Sequence, residues 1–442
     1  AFGGLSRRNG SASGFYRRAL DGRNTPEIYP DGFLPHIDTN IGDFSLSTGV
    51  KGQWGEWNYD ISETIGRNRL EYGVSKSLNA SLGVYSQSSF YAGALEFTQA
   101  STNLDLVRSF DVGTANPLSL ALGAEFRYEN YGIEAGEAAS YVSGPIPGKA
   151  AGSQVFPGFM PRNVTDESRT NIGAYVDVEN DVTDKLLLGA AVRFENYSDF
   201  GSIVTGKFSG RFEVMEGLAV RAAASTGYRA PSLAQSYFST ISTNFINGVP
   251  FEVGTFPVTS PVARALGAVD LEAETSVNLS GGATFESGNF SLTADFYNIT
   301  ITDRVVISEN FTGSGSVGSL RDFLGSRGVN ANGGRYFSNA VDSKTTGIDV
   351  IARYALELAG DATLRATVAA NFTQTEITNK DEITTPAALS QYTSVPLFGR
   401  SEQGRYEEGQ PRSSIQTSFN YTKDRTSIIL RVNRFGEYTV YN

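Results

Sequence analysis

Apolar and polar side chains alternate along residues 206–229, on both sides of a turn at Met215–Gly217. Phe208 and Phe212 share the apolar parity before the turn, and Val220 continues it afterwards. A period of two residues is typical of a β-strand with one apolar and one polar face, so this stretch predicts a hairpin of antiparallel strands. The charged residues on its polar parity are Lys207, Arg211, Glu213, Arg221 and Arg229.

The same alternation recurs along most of the chain, which predicts roughly fifteen strands and no segment with helical periodicity. Short polar turns, such as Val182–Asp184 and Ala359–Asp361, separate the two strands of each hairpin. Between successive hairpins lie long segments that are rich in Gly, Ser, Thr, Asn and aromatic residues. These segments cover roughly 130–168, 230–271, 306–344 and 376–411.

The length of the alternating stretches fits strands that cross a membrane. The chain has no run of about 18 apolar residues, which excludes a transmembrane helix, but a transmembrane strand needs only about 9–11 residues. From Gly217 to Tyr228 there are about 11 residues, which rise about 25 Å at about 3.3 Å per residue and a tilt near 45°. Short periplasmic turns at one end of the strands and long extracellular loops at the other are typical of an outer-membrane barrel.

Two soluble all-β folds explain this pattern less well. A β-sandwich also alternates, but it rarely has long loops on one side only. A β-helix would show a short coil repeat, and the sequence has none. We therefore predict an all-β chain that forms an antiparallel transmembrane β-barrel. Because an open sheet of about fifteen strands would leave unpaired edges in the bilayer, we expect residues 1–442 to be part of a single, larger barrel domain.

Composition and charge limit the chemistry that is possible in such a barrel. The formal net charge of −11 argues against nucleic acid as a partner, because phosphate binding needs a basic surface. His36 is the one histidine and cysteine is absent, so zinc and thiolate chemistry lack ligands. We expect no metal, no other cofactor and no catalytic residues. An outer-membrane hydrolase would depend on His36, which has no supporting spacing around it, and we do not expect one.

Several stretches resemble the TonB-dependent outer-membrane receptors. STGYRAPSLAQSYF (225–238) resembles the G-[FY]-R-A-P-S-L motif of that family, and YFSNAVDSKTTGIDV (336–350) resembles the entry to one of its strands. The similar stretches span almost the whole chain in the order of the family, which makes the resemblance specific. The others are YPDGFLP (29–35), WNYDISETIGRN (57–68), FPGFMPRNVTDESRTN (156–171), LGAVDLEAETSVNLSGG (266–282) and FSLTADFYNITITDRV (290–305).

The resemblance implies a 22-stranded barrel in the cell outer membrane, with an N-terminal plug domain inside the lumen. Such a receptor binds a scarce, bulky solute (a siderophore–iron complex, a vitamin or an oligosaccharide) and imports it into the periplasm with energy from the TonB complex. Its implied partners are its own plug, TonB, outer-membrane lipid and the solute. The family pattern includes a plug and a TonB box before residue 1 and closing strands after residue 442, so we expect the chain to be a fragment of the parent protein.

Two groups of residues are candidates for a functional site. The charged residues of the 206–229 hairpin face the lumen, where they could contact the plug or simply line a wet lumen as mutual ion pairs. Arg229 stands just before Pro231, which ends the strand because it cannot donate to the ladder. Aromatic residues of the long segments could form a ligand platform or pack on one another. They are Phe156, Phe159, Tyr237, Phe238, Phe245 and Phe251.

The main alternative function is a passive porin-like channel. A porin would have about 16–18 strands and no plug, and the motifs at 227–233 and 336–350 argue against it. The ligand itself is left open, because specificity lies in loops that diverge freely. The acidic balance slightly disfavours a strongly anionic ligand, unless the loops concentrate positive charge locally.

Overall fold

The computed structural model describes the backbone of residues 1–246, 249–315, 318–329 and 331–441. Within these ranges it describes all side chains except those of residues 242–246, 249–252, 314 and 315. All structural statements below concern this described part of the chain.

Most of the described residues lie in strands, which are numbered here in chain order. The first half contains β1 (Phe2–Ser13), β2 (Arg17–Arg18), β3 (Gly32–Phe33), β4 (His36–Trp54), β5 (Trp57–Ser75), β6 (Phe90–Phe110), β7 (Leu118–Ala135), β8 (Thr165–Thr183), β9 (Leu186–Tyr197), β10 (Gly201–Met215) and β11 (Leu218–Arg229). The second half contains β12 (Thr240–Ile246), β13 (Val249–Thr255), β14 (Glu274–Ser287), β15 (Phe290–Ile307), β16 (Phe311–Thr312), β17 (Ser314–Gly315), β18 (Gly318–Ser319), β19 (Gly333–Arg335), β20 (Phe337–Leu358), β21 (Ala362–Ile377), β22 (Ser413–Lys423) and β23 (Thr426–Phe435).

Helices are few and short, and they lie between strands. In the described ranges they are α1 (Leu233–Tyr237), α2 (Pro261–Ala265), α3 (Leu320–Gly325) and α4 (Arg400–Glu407), with 3-10 turns at Ala80–Tyr85, Ala138–Ser140, Pro161–Asn163 and Lys380–Glu382. No described helix combines the length and the apolar character needed to cross a membrane.

Fifteen of the described strands form one antiparallel sheet, whose order follows the chain: β1-β4-β5-β6-β7-β8-β9-β10-β11-β14-β15-β20-β21-β22-β23. The prediction of an all-β chain with about fifteen antiparallel strands is confirmed. Seven short turns lie at one edge of this sheet, because every second connection of antiparallel strands in chain order falls at the same edge. They are residues 55–56, 111–117, 184–185, 216–217, 288–289, 359–361 and 424–425.

Long loops lie at the opposite edge, except for a tight turn at 198–200 between β9 and β10. The predicted boundaries of these loops are partly wrong, because several strands run further than the alternation indicates. For example, β20 begins at Phe337, inside the segment predicted as loop, and pairs there with the end of β15. Polar residues occupy both faces of such strand ends. The alternation of apolar and polar residues therefore ends before the backbone hydrogen bonds between the strands do. The loops are 14–35, 76–89, 136–164, 230–273, 308–336 and 378–412.

The register of β10 and β11 confirms the two predicted faces. Phe212 stands directly opposite Val220, and Arg211 stands directly opposite Arg221. Since directly opposed residues share a face, the apolar and the charged sets lie on opposite faces of the sheet. The apolar face is open, with Phe208 58% and Phe212 45% exposed. An exposed apolar band of this kind is unfavourable in water but normal on strands that face lipid.

Loops 230–273, 308–336 and 378–412 fold together, and we call them the loop platform. The four-stranded sheet β12-β13-β19-β16 lies within it, with β13 and β19 parallel. Phe311, Leu320 and Leu389 are fully buried in its apolar core, next to Tyr336 at 1% exposure. These loops therefore have a hydrophobic core of their own, which gives the outer edge of the sheet a defined structure.

Candidate ligand-binding site

Three of the charged residues that were predicted to face the lumen lie together on the polar face of the fifteen-stranded sheet, which we call the wall. Lys207, Arg211 and Arg221 line a hollow of about 270 Å³ with Asp295 of β15. Arg221 donates two hydrogen bonds to Asp295, at 2.8 and 2.5 Å. No described carboxylate forms an ion pair with Lys207 or Arg211. The hollow therefore carries more positive than negative charge.

The other two predicted charges lie apart from this hollow. Arg229 is at the loop edge, where its Nη1 donates to Glu274 at 3.3 Å. Glu213 lies close to the short turn between β10 and β11, opposite Ala219. The structure therefore places all five residues on two neighbouring strands but gives them three different surroundings.

Arg221 reaches Asp295 across a glycine on the intervening strand. Gly282 of β14 stands between these two residues in the register, and a Cβ atom there would overlap the Asp295 carboxylate. A glycine is needed here because the long side chain lies flat over the backbone. Similar bridges cross other glycines, at Tyr175–Gly123–Asp105 and Arg193–Gly173–Glu125.

Arg169 fixes the corner at which β11 becomes a loop. Its Nε donates to Glu129 at 2.5 Å and its Nη1 donates to the carbonyl oxygen of Pro231 at 2.6 Å. Its guanidinium also lies 5.3 Å from the centre of the Tyr197 ring. The predicted strand end at Pro231 is confirmed, and the chain is held there from β8. Arg169 was not among the predicted residues, although it has the lumen parity of β8.

Four of the predicted loop aromatics form one cluster: Phe156, Phe159, Tyr237 and Phe238. The ring centroids of Phe156 and Phe159 are 5.5 Å apart, and those of Phe159 and Phe238 are 6.4 Å apart. Phe159 is only 2% exposed, so it joins loop 136–164 to α1 by packing. A ligand role for the half-buried members stays a prediction. The side chains of Phe245 and Phe251 lie outside the described residues.

A polar cavity of about 410 Å³ lies between loops 14–35 and 136–164 and the loop platform. Among the described residues of its lining there is no carboxylate, and four side chains are cationic: Arg17, Arg23, Lys149 and Arg321. Neutral polar groups lie between them, and Tyr141 is the aromatic residue of the lining. The neutral polar residues are Ser143, Ser153, Gln154 and Asn332.

Arg17 is the most deeply placed of these cations, with 3% exposure. Its Nε donates to Gln154 Oε1 at 3.1 Å and its Nη1 donates to the carbonyl oxygen of Phe15 at 2.6 Å. No carboxylate in the described part of the chain forms an ion pair with it. Burial and then repulsion from Arg23 lower the pKa of Arg17 to about 10. Loop 14–35 thus holds a guanidinium in a place that disfavours its charge.

The remaining cations are held less tightly. Arg23 donates to Asp21 at 2.8 and 2.7 Å, and these bonds lower the pKa of Asp21 to about 2. Lys149 Nζ donates to the carbonyl oxygen of Asn24 at 3.0 Å. Arg321 is exposed on α3 of the loop platform.

None of the residues that line this cavity was among the predicted site residues. Arg17, Arg18 and Arg23 lie in one loop, but Asp21, Glu27 and Asp31 of the same loop balance their charge, so the sequence shows no net positive charge there. Lys149 and Arg321 lie far away in the sequence, and only the fold brings them to the same cavity. This is the local concentration of positive charge that would allow an anionic ligand.

The surroundings of His36 differ from those of a hydrolase base. Its Nδ1 lies 3.2 Å from Ser11 Oγ, but that hydroxyl is 2.6 Å from an oxygen of Asp38. In a Ser-His-Asp triad the carboxylate instead orients the imidazole. Among the described residues, no three side chains of His, Asp or Glu lie close enough together to hold a metal ion. The absence of an enzymatic function and of a cofactor stays a prediction.

The long antiparallel sheet, with its apolar face, its polar face and its folded loops at one edge, defines the class of outer-membrane β-barrels. Within that class, the family model described as "TonB dependent receptor-like, beta-barrel" matches residues 2–442. The chain belongs to this family, whose members are outer-membrane receptors and transporters. The predicted resemblance, fold class and localisation are confirmed.

Individual relatives are distant. The ferric enterobactin receptor PirA of Pseudomonas aeruginosa is 24% identical over 274 residues, which are 60% of this chain and 34% of that protein. The crystal structure of the siderophore receptor PirA from Acinetobacter baumannii matches with a TM-score of 0.56 at 13% identity, over 99% of this chain and 60% of that one. The RagAB peptide transporter matches with a TM-score of 0.55 at 10% identity, over 90% and 48%.

At these identities the solved structures establish the fold alone. The chain spans about a third of the curated relative that it matches and about half to three fifths of the two solved structures. The activity, the solute and the partners of the whole protein are therefore proposals.

Proposed function

We propose that this chain is the barrel region of an outer-membrane receptor-transporter, which binds a solute at its loops and imports it into the periplasm with energy from TonB. The observation that carries this proposal is the cavity of about 410 Å³ between folded loops. A passive channel needs an open path, whereas a receptor needs a defined cavity that captures its solute. Membership of the TonB-dependent receptor family supports the proposal.

The proposal includes a complete barrel of 22 strands, to which the described sheet contributes fifteen, and a plug inside its lumen. The positive hollow at Lys207, Arg211 and Arg221 is a suitable contact for a plug carboxylate, because one described carboxylate, Asp295, faces three cations there. Charge-reversal Arg211→Glu in the full-length protein should loosen the plug and make cells sensitive to vancomycin. Arg365→Glu on β21 is the matched control. Unchanged vancomycin resistance in the Arg211→Glu strain would exclude this contact.

The import function is tested with a deletion strain that carries the full-length gene, with and without a working TonB. Accumulation of ⁵⁵Fe-labelled chelates, cobalamin and maltodextrins is measured in parallel. We expect one of these solutes to accumulate only when both the receptor and TonB are present. Accumulation that needs the receptor but not TonB would instead support the porin-like channel.

A further inference from the structure

We propose that the loop cavity binds a compact solute that carries two or more oxyanion groups. Carboxylates, phosphates and catecholates share this chemistry, which is a set of negatively charged oxygen atoms at close spacing. The inference deepens the proposed function and rests on it for the biological role of the site. It concerns the cavity that Arg17, Arg23, Lys149 and Arg321 line.

The charge of the cavity is opposite to that of the chain. The sequence has 47 acidic and 36 basic residues, yet the described residues of the lining include four cations and no carboxylate. Asp21 forms an ion pair with Arg23 and offsets part of this positive charge. Holding like charges together is unfavourable, and an anion bound between them relieves that repulsion. The cavity is therefore electrostatically incomplete without an anionic occupant.

Arg17 is positioned for such an occupant before it arrives. Two protein acceptors, Gln154 Oε1 and the Phe15 carbonyl oxygen, orient its guanidinium, which has five N–H groups in all. A guanidinium that is already oriented can bind a carboxylate, a phosphate or a catecholate through two parallel hydrogen bonds. The buried position removes competing water, which strengthens each of these bonds.

The neutral part of the lining favours an anion over a sugar. Sugar sites typically offer several aromatic faces for stacking, whereas Tyr141 is the aromatic residue of this lining. The serine, glutamine and asparagine side chains supply additional hydrogen-bond donors. The volume lies in the range of about 300–1,000 Å³ that is usual for small-molecule sites.

The cavity also lies between two parts of the outer edge, which contact each other through the aromatic cluster of Phe159 and Phe238. Arg17, Arg23 and Lys149 come from loops 14–35 and 136–164, whereas Arg321 and Asn332 come from the loop platform. The polar contacts between these parts include Asn163 Nδ2 to Ser239 Oγ at 2.7 Å. An anion that contacts both groups of cations would hold the two parts together, as a receptor needs for capture.

The experiment uses the purified full-length receptor in detergent and isothermal titration calorimetry at constant ionic strength. The probes are citrate, tripolyphosphate and the ferric complex of 2,3-dihydroxybenzoate, with maltotriose as a neutral control. The probe that binds identifies the type of oxyanion. Lys149→Gln and Arg321→Gln remove lining cations that are not deeply buried, so both variants should fold. Arg18→Gln is the matched control, because Arg18 is exposed beside Arg17 and does not line the cavity.

We expect at least one anion to bind, and each lining variant to weaken it by about 10- to 100-fold, the value of one charge-assisted hydrogen bond. The double variant should bind the anion more weakly than either single variant, and Arg18→Gln should change the affinity by less than about twofold. Absence of saturable binding by all three anions would overturn the inference. Equal binding by the wild type and the double variant, or tighter binding of maltotriose, would also overturn it.

A transport assay separates this inference from the proposed function. TonB-dependent uptake that is undiminished in the Lys149→Gln/Arg321→Gln strain would contradict the proposed anion site but would still support the proposed transport function. Charge-dependent binding in the calorimeter, with no TonB-dependent uptake of the same anion, would support the site and contradict the transporter.

Discussion

Arg169 is a single residue that joins three strands and a loop. It pairs with Glu129 of β7, lies against Tyr197 of β9 and binds the backbone of Pro231. The side chains of Arg169 and Glu129 are 8% and 10% exposed. Removing one partner of such a buried pair leaves an uncompensated charge, which costs more than the pair contributes.

We predict that Arg169→Met lowers the free energy of unfolding by about 3–5 kcal/mol, because Glu129 loses its counter-charge. Urea unfolding of the full-length receptor measures this, and limited proteolysis after Arg229 reports the loosened corner. The double variant Arg169→Met/Glu129→Leu should recover more than half of the loss. A single variant as stable as the wild type would contradict the role of Arg169.

Asp21 gives loop 14–35 a defined pH dependence. Its pKa is lowered to about 2 by the hydrogen bonds from Arg23, against an unfolded value of about 3.9. The stabilisation is therefore fully present above about pH 4 and is lost as the pH falls through about 2. We expect pepsin to cut this loop at pH 2 but not at pH 4 in the wild type. Asp21→Asn should be cut equally at both values, and equal resistance of the variant at pH 4 would refute the prediction.

Glycines on the intervening strands decide which lumen side chains meet. Gly282 and Gly281 are neighbours on β14, but an added Cβ at 282 would overlap Asp295, whereas at 281 its nearest contact is 3.8 Å away. Gly282→Ala should separate Arg221 from Asp295 and lower the free energy of unfolding by about 1–3 kcal/mol. Gly281→Ala is the control and should change it by less than about 0.5 kcal/mol. Similar urea midpoints for both variants would show that the bridge is unimportant.

The strands of the wall were predictable because one physical constraint, an apolar and a polar face, repeats in each of them. The short helices were not, since five to eight residues are too few to show a period of 3.6. The N-caps of α1, α2 and α3 were readable, because Ser232, Ser260 and Ser319 each accept a hydrogen bond from the backbone N–H three residues later. The core of the loop platform was also hidden, because Phe311 and Leu389 belong to different loops and meet only in the fold.

At the scale of the whole molecule, net charge was a poor guide to the charge of the loop cavity. The total of −11 slightly disfavoured an anion, but the local potential at the cavity is set by four cations. Distant segments supply these cations, so their proximity could not be read from the sequence. The sequence was enough to predict that the five charged residues of the 206–229 hairpin share one face. Their different partners could be identified only from the register of the strands.

Neighbouring residues of one strand lie on opposite faces of the wall, so introducing a charge at each should have a different effect on stability. Ala370 of β21 has the apolar parity and stands opposite Val350, whereas Ala369 has the lumen parity and stands opposite Gln416. In the full-length barrel, Ala370→Lys should destabilise folding into lipid vesicles by about 2–4 kcal/mol, because it places a charge in the hydrocarbon. Ala369→Lys should cost much less, since a wet lumen accepts charge. Equal costs, measured by urea titration in vesicles, would contradict the assignment of the faces.

The shared core of the loop platform limits how this receptor can change its specificity. Phe311, Tyr336 and Leu389 come from segments that must fit one another, so altering one loop alone would leave a void or a clash. Loops 14–35 and 136–164 lie outside that core. Over generations, the three platform loops would be exchanged as one block, and the loops that carry Arg17 and Lys149 would change as a pair, because hydrogen bonds join them.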